Sequence, residues 1–118
     1  MRILNATTGD VLAQCAETAS TPLRRLRGLM FRAGMLAGSA LVIEPCNGIH
    51  TCFMRFPIDV VFVARDMRAI LSARSVAPWR FIPWVKGARL VVEFPAGTLS
   101  RAPVRPGDVM VLENPPVG

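Results

Sequence analysis

The sequence contains no tyrosine, one histidine and one lysine, and it has no long hydrophobic run. No apolar stretch approaches the roughly 20 residues that a membrane-spanning helix needs, so we expect no membrane span. The first ten residues lack a basic stretch followed by an apolar one, which argues against a secretory signal. We therefore predict a cytoplasmic protein, the alternative being a longer precursor whose leader has been removed.

Cysteine is also scarce, and Cys15, Cys46 and Cys52 are the three examples. An odd number of cysteines does not complete a disulfide framework, and a chain of this length does not depend on one. We expect reduced thiols, which agrees with a cytoplasmic location. Cys46, His50 and Cys52 offer three ligands that zinc accepts, but their spacing matches no recurrent zinc pattern. We predict no metal site and no bound cofactor.

Hydrophobic residues make up 52% of the 118 residues, which is enough for a core and excludes a disordered chain. We predict a single domain over 1–118, with its core over about 1–113 and a frayed, proline-rich tail at 114–118. The formal net charge is +6, and 13 of the 14 basic residues are arginine. Because these arginines are spread along the chain instead of forming one run, we do not predict a nucleic-acid partner.

Short apolar runs rich in β-branched residues alternate with glycine and proline turns. Two hairpins are predicted, one from 1–5 and 10–16, the other from 58–64 and 69–76. Further strand signals lie at 40–44, 89–94 and 108–113. We predict a mainly-β fold, either a β-sandwich or jelly-roll-like architecture or a partly open barrel, with one short α-helix.

The single predicted helix lies within 21–34. Thr21 suits the N-cap and Pro22 the first helical position. Three apolar residues then recur at helical spacing. They are Leu23, Leu26 and Met30. We expect their side chains to pack into the core.

Three motifs follow in order along the chain: RGLMFR at 27–32, HTCFMRFPIDVVF at 50–62 and EFPAG at 93–97, with Gly-Asp at 107–108. Together they resemble the family called domain of unknown function 192, over about residues 5–113. The resemblance implies a compact, mainly-β fold. It implies no established reaction, so every candidate residue below rests on its own chemistry.

Asp59 stands at the head of an apolar strand, where a carboxylate is costly unless it is paired. We expect an ion pair with Arg27 or Arg55 near the mouth of any cavity, and the wall of a polar pocket is the alternative interpretation. His50 titrates near neutral pH and could act as a base or proton carrier. A half-buried, hydrogen-bonded histidine is the alternative.

The loop from 79 to 84 carries two tryptophans, each of which directly follows a proline. It fits either a lid over a ligand or a cover over one end of the fold. We predict a non-catalytic binding module for a small polar ligand, a glycan or a peptide. Its site residues are predicted to be Arg27, His50, Arg55, Asp59, Trp79 and Glu93. The alternatives are a hydrolase or isomerase using His50 and Asp59 as an acid/base pair, and a module that acts through protein partners.

Overall fold

The computed structural model describes residues 1–114, in which ten strands and two short helices occur. The strands are β1 (Arg2–Asn5), β2 (Asp10–Ala13), β3 (Cys15–Ala19), β4 (Ser39–Ile43), β5 (Ile49–His50), β6 (Ile58–Ala64), β7 (Ala69–Val76), β8 (Phe81–Ile82), β9 (Ala88–Pro95) and β10 (Met110–Glu113). The helices are α1 (Pro22–Arg27) and α2 (Thr98–Arg101). The predicted frayed tail lies, from residue 115 onward, outside the described residues.

The strands form a five-stranded sheet in the order β3-β4-β9-β6-β7, a three-stranded sheet in the order β10-β1-β2, and a two-stranded sheet of β5 and β8. The β3–β4 pair is parallel and the other pairs are antiparallel. The mainly-β prediction is confirmed, and within residues 1–114 the sheets stay open instead of closing into a barrel. Both predicted hairpins are present as β1–β2 and β6–β7.

The two central strands, β6 and β9, are buried on both sides of the five-stranded sheet. Six of the seven residues of β6 are buried, and five of the eight in β9. A continuous run of valine, isoleucine and phenylalanine is the pattern expected of a strand that is covered on both faces. Side chains that alternate along these strands therefore enter two different cores.

One core lies between the five-stranded sheet, the three-stranded sheet and α2. Its larger members include Ile3, Leu12, Val61, Val92, Phe94, Leu99 and Met110. The face of the five-stranded sheet that points into this core is called the closed face below. The three-stranded sheet packs over this face. The two sheets together form the sandwich-like arrangement that was predicted from the sequence.

The other core lies on the opposite face of the five-stranded sheet and is covered by loops and by the segment after α1. Its members include Leu29, Leu41, Ile43, Ile49, Met54, Val60, Phe62, Val85 and Val91. This face is called the open face, because a cavity is left between the sheet and its cover.

Helix α1 begins as predicted but packs differently. The Thr21 hydroxyl oxygen accepts a hydrogen bond from the Arg24 backbone N–H at 3.2 Å. No residue of α1 is buried, and the Leu23 and Leu26 side chains are 75% and 65% exposed. The prediction that this stripe packs into the core was wrong. The helix ends after six residues, and Leu29, which follows it, enters the core instead.

A second helix, α2, was not predicted, because its four residues carry no periodic pattern. Its N-cap position is a glycine in the left-handed conformation, which offers no side-chain oxygen to the first turn. Within residues 1–114, no helix is long and apolar enough to cross a membrane.

Candidate functional site

A cavity of about 320 Å³ opens on the open face between α1, the segment after β4, and β5. Small-molecule sites start at roughly 300 Å³, so the space suits a small ligand. Its apolar wall comes from the open-face core. Its polar lining comes from Arg25, Arg27, Cys46, Asn47, His50 and Glu93.

Glu93 lies in the floor of the cavity, in the middle of β9. In the sheet register it stands between Leu41 of β4 and Val60 of β6, both of which belong to the open-face core. The residue is 3% exposed, and among residues 1–114 no donor lies within hydrogen-bond distance of its carboxyl group. Burial raises the pKa of this carboxyl group to about 8, and the charge of Arg32 opposes the shift. At neutral pH the group is therefore a protonated acid.

Arg25 also lines the cavity, and a hydrogen bond to the backbone holds its side chain in place. Its Nη1 donates to the Pro45 carbonyl oxygen at 2.9 Å, which ties α1 to the segment after β4. Its buried Nε has no hydrogen-bond partner within the described part of the chain. A buried donor without a partner is rare in folded proteins, and this nitrogen is too deeply buried to be reached by a ligand in the cavity.

The end of α1 lies close to Glu93, and its backbone there has a conformation that favours glycine. Gly28 has φ +48° and ψ −122°, a conformation that side-chain-bearing residues rarely adopt. A Cβ atom at this position would lie 3.7 Å from Oε1 of Glu93. Arg27, the residue before it, is exposed at the cavity and forms no ion pair within residues 1–114.

His50 lies on β5 and forms part of the cavity wall. Its Nδ1 accepts a hydrogen bond from the Cys52 backbone N–H at 3.2 Å. A neutral imidazole whose Nδ1 accepts carries its proton on Nε2, so the ring keeps one donor that this contact does not use. The half-buried, hydrogen-bonded histidine considered above as the alternative is thus present, and it lines a cavity as well.

Cys46 is held as a neutral thiol. Its Sγ donates to the Gly48 carbonyl oxygen at 2.9 Å. Burial raises the pKa of the thiol, and the nearby Glu93 acts in the same direction. Gly48 itself forms a tight wall, because a Cβ atom there would lie 2.3 Å from the Pro83 carbonyl oxygen.

Asp59, by contrast, lies on the closed face. It stands opposite Phe94 in the sheet register, so its side chain points away from His50 and Glu93. Its Oδ1 accepts from the Ser75 N–H at 2.8 Å, and its Oδ2 accepts from the N–H groups of Gly97 and Leu99 at 3.1 and 2.8 Å. The predicted arginine partner was wrong, since no arginine of residues 1–114 forms a salt bridge with this carboxylate.

A family model for DUF192, described as "Uncharacterized ACR", matches residues 3–112. The chain belongs to the DUF192 family. It is 31% identical over 112 residues to a UPF0127 protein from Thermococcus gammatolerans, covering 92% of this chain and 72% of that one. It is 29% identical over 111 residues to a UPF0127 protein from Pyrococcus furiosus, covering 90% and 93%. The family prediction made from the three motifs is confirmed.

Two solved structures share the fold. A protein of unknown function from Novosphingobium aromaticivorans superposes with a TM-score of 0.82 at 23% identity, covering 95% of this chain and 84% of that one. A candidate transcription regulator from Sinorhizobium meliloti superposes with a TM-score of 0.80 at 25% identity, covering 93% and 89%. These likenesses support the fold described for this DUF192 member.

Three of the six predicted site residues meet at the cavity in this DUF192 chain, namely Arg27, His50 and Glu93. Asp59 is separated from them by the sheet. Arg55 is exposed and lies outside the cavity lining, and so does Trp79, whose ring contacts Phe53.

Arg25 and Gly28 also line the cavity, although neither was among the predicted site residues. The signal for Gly28 was present, because a glycine follows directly on a short run of helix-forming residues. Arg25 carried no such signal. Its position at the cavity depends on how α1 packs against the segment after β4, which only the fold reveals.

In residues 1–114, no group of three histidine, cysteine, aspartate or glutamate side chains is placed to hold a metal ion. Cys46 and His50 both line the cavity, whereas Cys52 is outside its lining. The absence of a metal site stays a prediction that elemental analysis can check.

Proposed function

We propose that this DUF192 member is a non-catalytic binding module whose open-face cavity takes a small polar ligand. The observation that supports this most is Glu93, a carboxyl group that is 3% exposed, faces a cavity of about 320 Å³ and lacks a hydrogen-bond donor from residues 1–114. A ligand that supplies hydrogen bonds to this carboxyl group would gain roughly 0.5–1.5 kcal/mol from each.

The polar groups of the cavity define what the ligand must offer. A protonated Glu93 both donates and accepts. Hydroxyl and amide groups of a ligand can meet both of these needs at once. Arg27 at the mouth adds a planar donor for a carboxylate or phosphate. These features fit a sugar or a short peptide better than a purely apolar ligand.

Thermal shift measurements with a panel of monosaccharides, disaccharides and dipeptides test this proposal. A ligand present at 100 times its dissociation constant adds about 2.7 kcal/mol to the stability of the folded state. The shift should disappear in Glu93→Leu, which removes both the donor and the acceptor, and weaken in Arg27→Ala. Arg101→Ala, which removes an exposed arginine from α2, is the matched control and should retain the shift. A shift that survives Glu93→Leu unchanged would overturn the assignment of the cavity.

Acid–base catalysis is the second candidate function, and one observation favours it. The raised pKa of Glu93 places a protonated acid in the same cavity as His50, whereas Asp59, the predicted partner of His50, lies across the sheet. A neutral carboxylic acid at pH 7 is the form that a general acid needs. Any panel compound that binds should be followed by NMR for chemical conversion. Conversion that is lost in both Glu93→Gln and His50→Ala would replace the binding proposal with this one.

The cytoplasmic location stays a prediction. All three cysteines are unpaired, which agrees with the reduced thiols expected from the sequence.

A further inference from the structure

Seven large apolar side chains stand exposed on α1, on the segment that follows it and on the segments around β5 and β8. They are Leu23, Leu26, Phe31, Phe53, Trp79, Phe81 and Trp84, and their exposed fractions run from 48% to 75%. We call this set the apolar rim. Single exposed apolar residues are ordinary, but a grouped set of this size marks an interaction surface.

Ring contacts and shared neighbours join the rim residues. The Phe31 and Phe53 ring centroids are 5.4 Å apart, and those of Phe53 and Trp79 are 4.7 Å apart. On the other side, the Phe81 ring lies 6.5 Å from the ring of His50, which lines the cavity together with Leu26. Phe31, Phe53 and Trp79 therefore form one aromatic cluster, while Leu26 lines the cavity and Phe81 lies beside its wall.

Three of the rim residues are held in a strained backbone conformation. Phe31, Phe53 and Trp79 have φ values of +66°, +62° and +64°, in the left-handed region that bulky residues rarely occupy. Backbone hydrogen bonds fix them there. The Phe31 N–H donates to the Phe53 carbonyl oxygen at 3.0 Å, and the Trp79 N–H donates to that of Thr51 at 3.0 Å. Strain of this kind costs about 1–3 kcal/mol per residue and is concentrated at functional surfaces.

Positive charge is concentrated in the same segments. Residues 21–56 and 77–89, which carry the whole rim, hold eight of the 14 basic residues and one of the eight acidic ones. The rest of the chain holds six basic and seven acidic residues, so the net charge of +6 comes from the rim segments. The exposed arginines of these segments include Arg24, Arg27, Arg55 and Arg80.

We propose that the apolar rim docks this protein onto the surface of an anionic lipid bilayer. Leucine, phenylalanine and tryptophan side chains insert at the boundary between headgroups and acyl chains, and the neighbouring arginines contact the anionic headgroups. The exposed leucines of α1 distinguish this partner from a single-stranded nucleic acid, whose bases need aromatic or guanidinium faces on which to stack. The charge of the rim segments selects an anionic membrane over a neutral one.

Tryptophan fluorescence can follow the docking directly, because both tryptophans of the chain belong to the rim and no tyrosine is present. The full chain is mixed with vesicles of phosphatidylcholine, or of phosphatidylcholine with phosphatidylglycerol. We expect a blue shift and co-sedimentation with the anionic vesicles, with an affinity at least about tenfold above that for the neutral ones. Added salt should weaken the binding.

The double variant Leu23→Ser with Leu26→Ser should lower the affinity for anionic vesicles at least about tenfold, because it removes two inserting side chains. Circular dichroism should show it folded, since neither side chain is buried. Leu71→Ser on β7 is the matched control, because Leu71 is an exposed leucine outside the rim, and it should bind normally. Glu93→Leu should also bind normally, so a failure of the cavity proposal and a failure of this one give different results.

Three results would overturn the proposal. The first is the absence of a blue shift with anionic vesicles, and the second is equal binding of both vesicle types. The third is a double variant that binds as the unsubstituted chain does. A blue shift produced by a single-stranded oligonucleotide or by polyglutamate, and not by vesicles, would assign the rim to a nucleic acid or to an acidic protein segment instead.

Discussion

Asp59 and Glu93 are carboxyl groups buried in one sheet, on adjacent strands and on opposite faces. Asp59 accepts three hydrogen bonds from backbone N–H groups, whereas Glu93 receives none from residues 1–114. The closed face thus satisfies its acid completely, and the open face leaves its acid beside a cavity. Burial alone does not distinguish a structural acid from a functional one, whereas the number of hydrogen bonds that each acid receives does.

Asp59 joins three parts of the closed face. The Ser75 N–H lies where the pairing of β6 with β7 shifts register. It therefore donates to the Asp59 carboxylate instead of to a backbone carbonyl of the neighbouring strand. The Gly97 and Leu99 N–H groups lie at the start of α2. The N-cap residue of this helix is a glycine, so it has no side chain that could accept a hydrogen bond from them. An acid from β6 therefore caps α2 from outside the helix.

Asp59→Ala is expected to have the largest effect on stability. It leaves three backbone donors without a partner, at roughly 1–3 kcal/mol each, which is enough to unfold many domains of this size. Urea denaturation measures the loss in the free energy of unfolding. Asp66→Ala, which removes an exposed acid from the β6–β7 turn, is the control. A loss below about 1 kcal/mol, as for a surface pair, would show that the three hydrogen bonds are not needed.

Glu93→Gln should raise the free energy of unfolding instead of lowering it, and the size of the gain should depend on pH. Between about pH 4.5 and 8 the folded chain keeps the Glu93 proton that the unfolded chain releases, so the free energy of unfolding falls as the pH rises. Glutamine does not ionise, so the variant should lose this slope. The two proteins should match below pH 4.5, with the variant gaining up to roughly 5 kcal/mol above pH 8 at 1.36 kcal/mol per unit of pKa.

Urea titrations at several pH values between 4 and 9 measure this slope. Glu44→Gln is the matched control, because Glu44 is a partly exposed glutamate at the end of β4, on a neighbouring strand of the same sheet. If Glu93→Gln keeps the slope of the unsubstituted protein, the acid is hydrogen-bonded in solution and the contrast with Asp59 disappears.

Gly48→Ala tests the wall of the open face. A Cβ atom at this position would lie 2.3 Å from the Pro83 carbonyl oxygen, and backbone on both sides leaves no flexible side chain to yield. We expect a loss of roughly 1–3 kcal/mol, as for other overpacked sites. Gly34→Ala is the control, because a Cβ atom there meets nothing within 4 Å. Equal stability of the two variants in urea would mean that the β5–β8 wall moves freely.

Much of the secondary structure could be predicted, because turn residues and β-branched runs act locally. The Thr21 cap, the β6–β7 hairpin and the mainly-β class depend on such local signals. The division of Asp59 and Glu93 between two faces could not be predicted. It depends on the β6–β9 register, which pairs Val60 with Glu93 and Asp59 with Phe94, and no local pattern encodes that register.

The exposed leucines of α1 are the clearest case in which a helical pattern gave a wrong prediction, namely that their side chains pack into the core. Periodicity shows that Leu23 and Leu26 share a face of the helix, but it does not show whether that face meets the core or the solvent. Here it meets the solvent, because α1 ends at Arg27 and the chain turns at Gly28 to bury Leu29 instead.

Leu26→Ala is therefore expected to have the smallest effect of the four, within about 0.5 kcal/mol, because a surface substitution leaves no internal space. Leu29→Ala is the comparison, at 2% exposure, and should cost roughly 2–5 kcal/mol through the space it leaves in the open-face core. Urea titrations of the two variants side by side measure the difference. If Leu26→Ala proves as costly as Leu29→Ala, the stripe packs against the domain in solution, and the leucines of α1 are not available to a membrane.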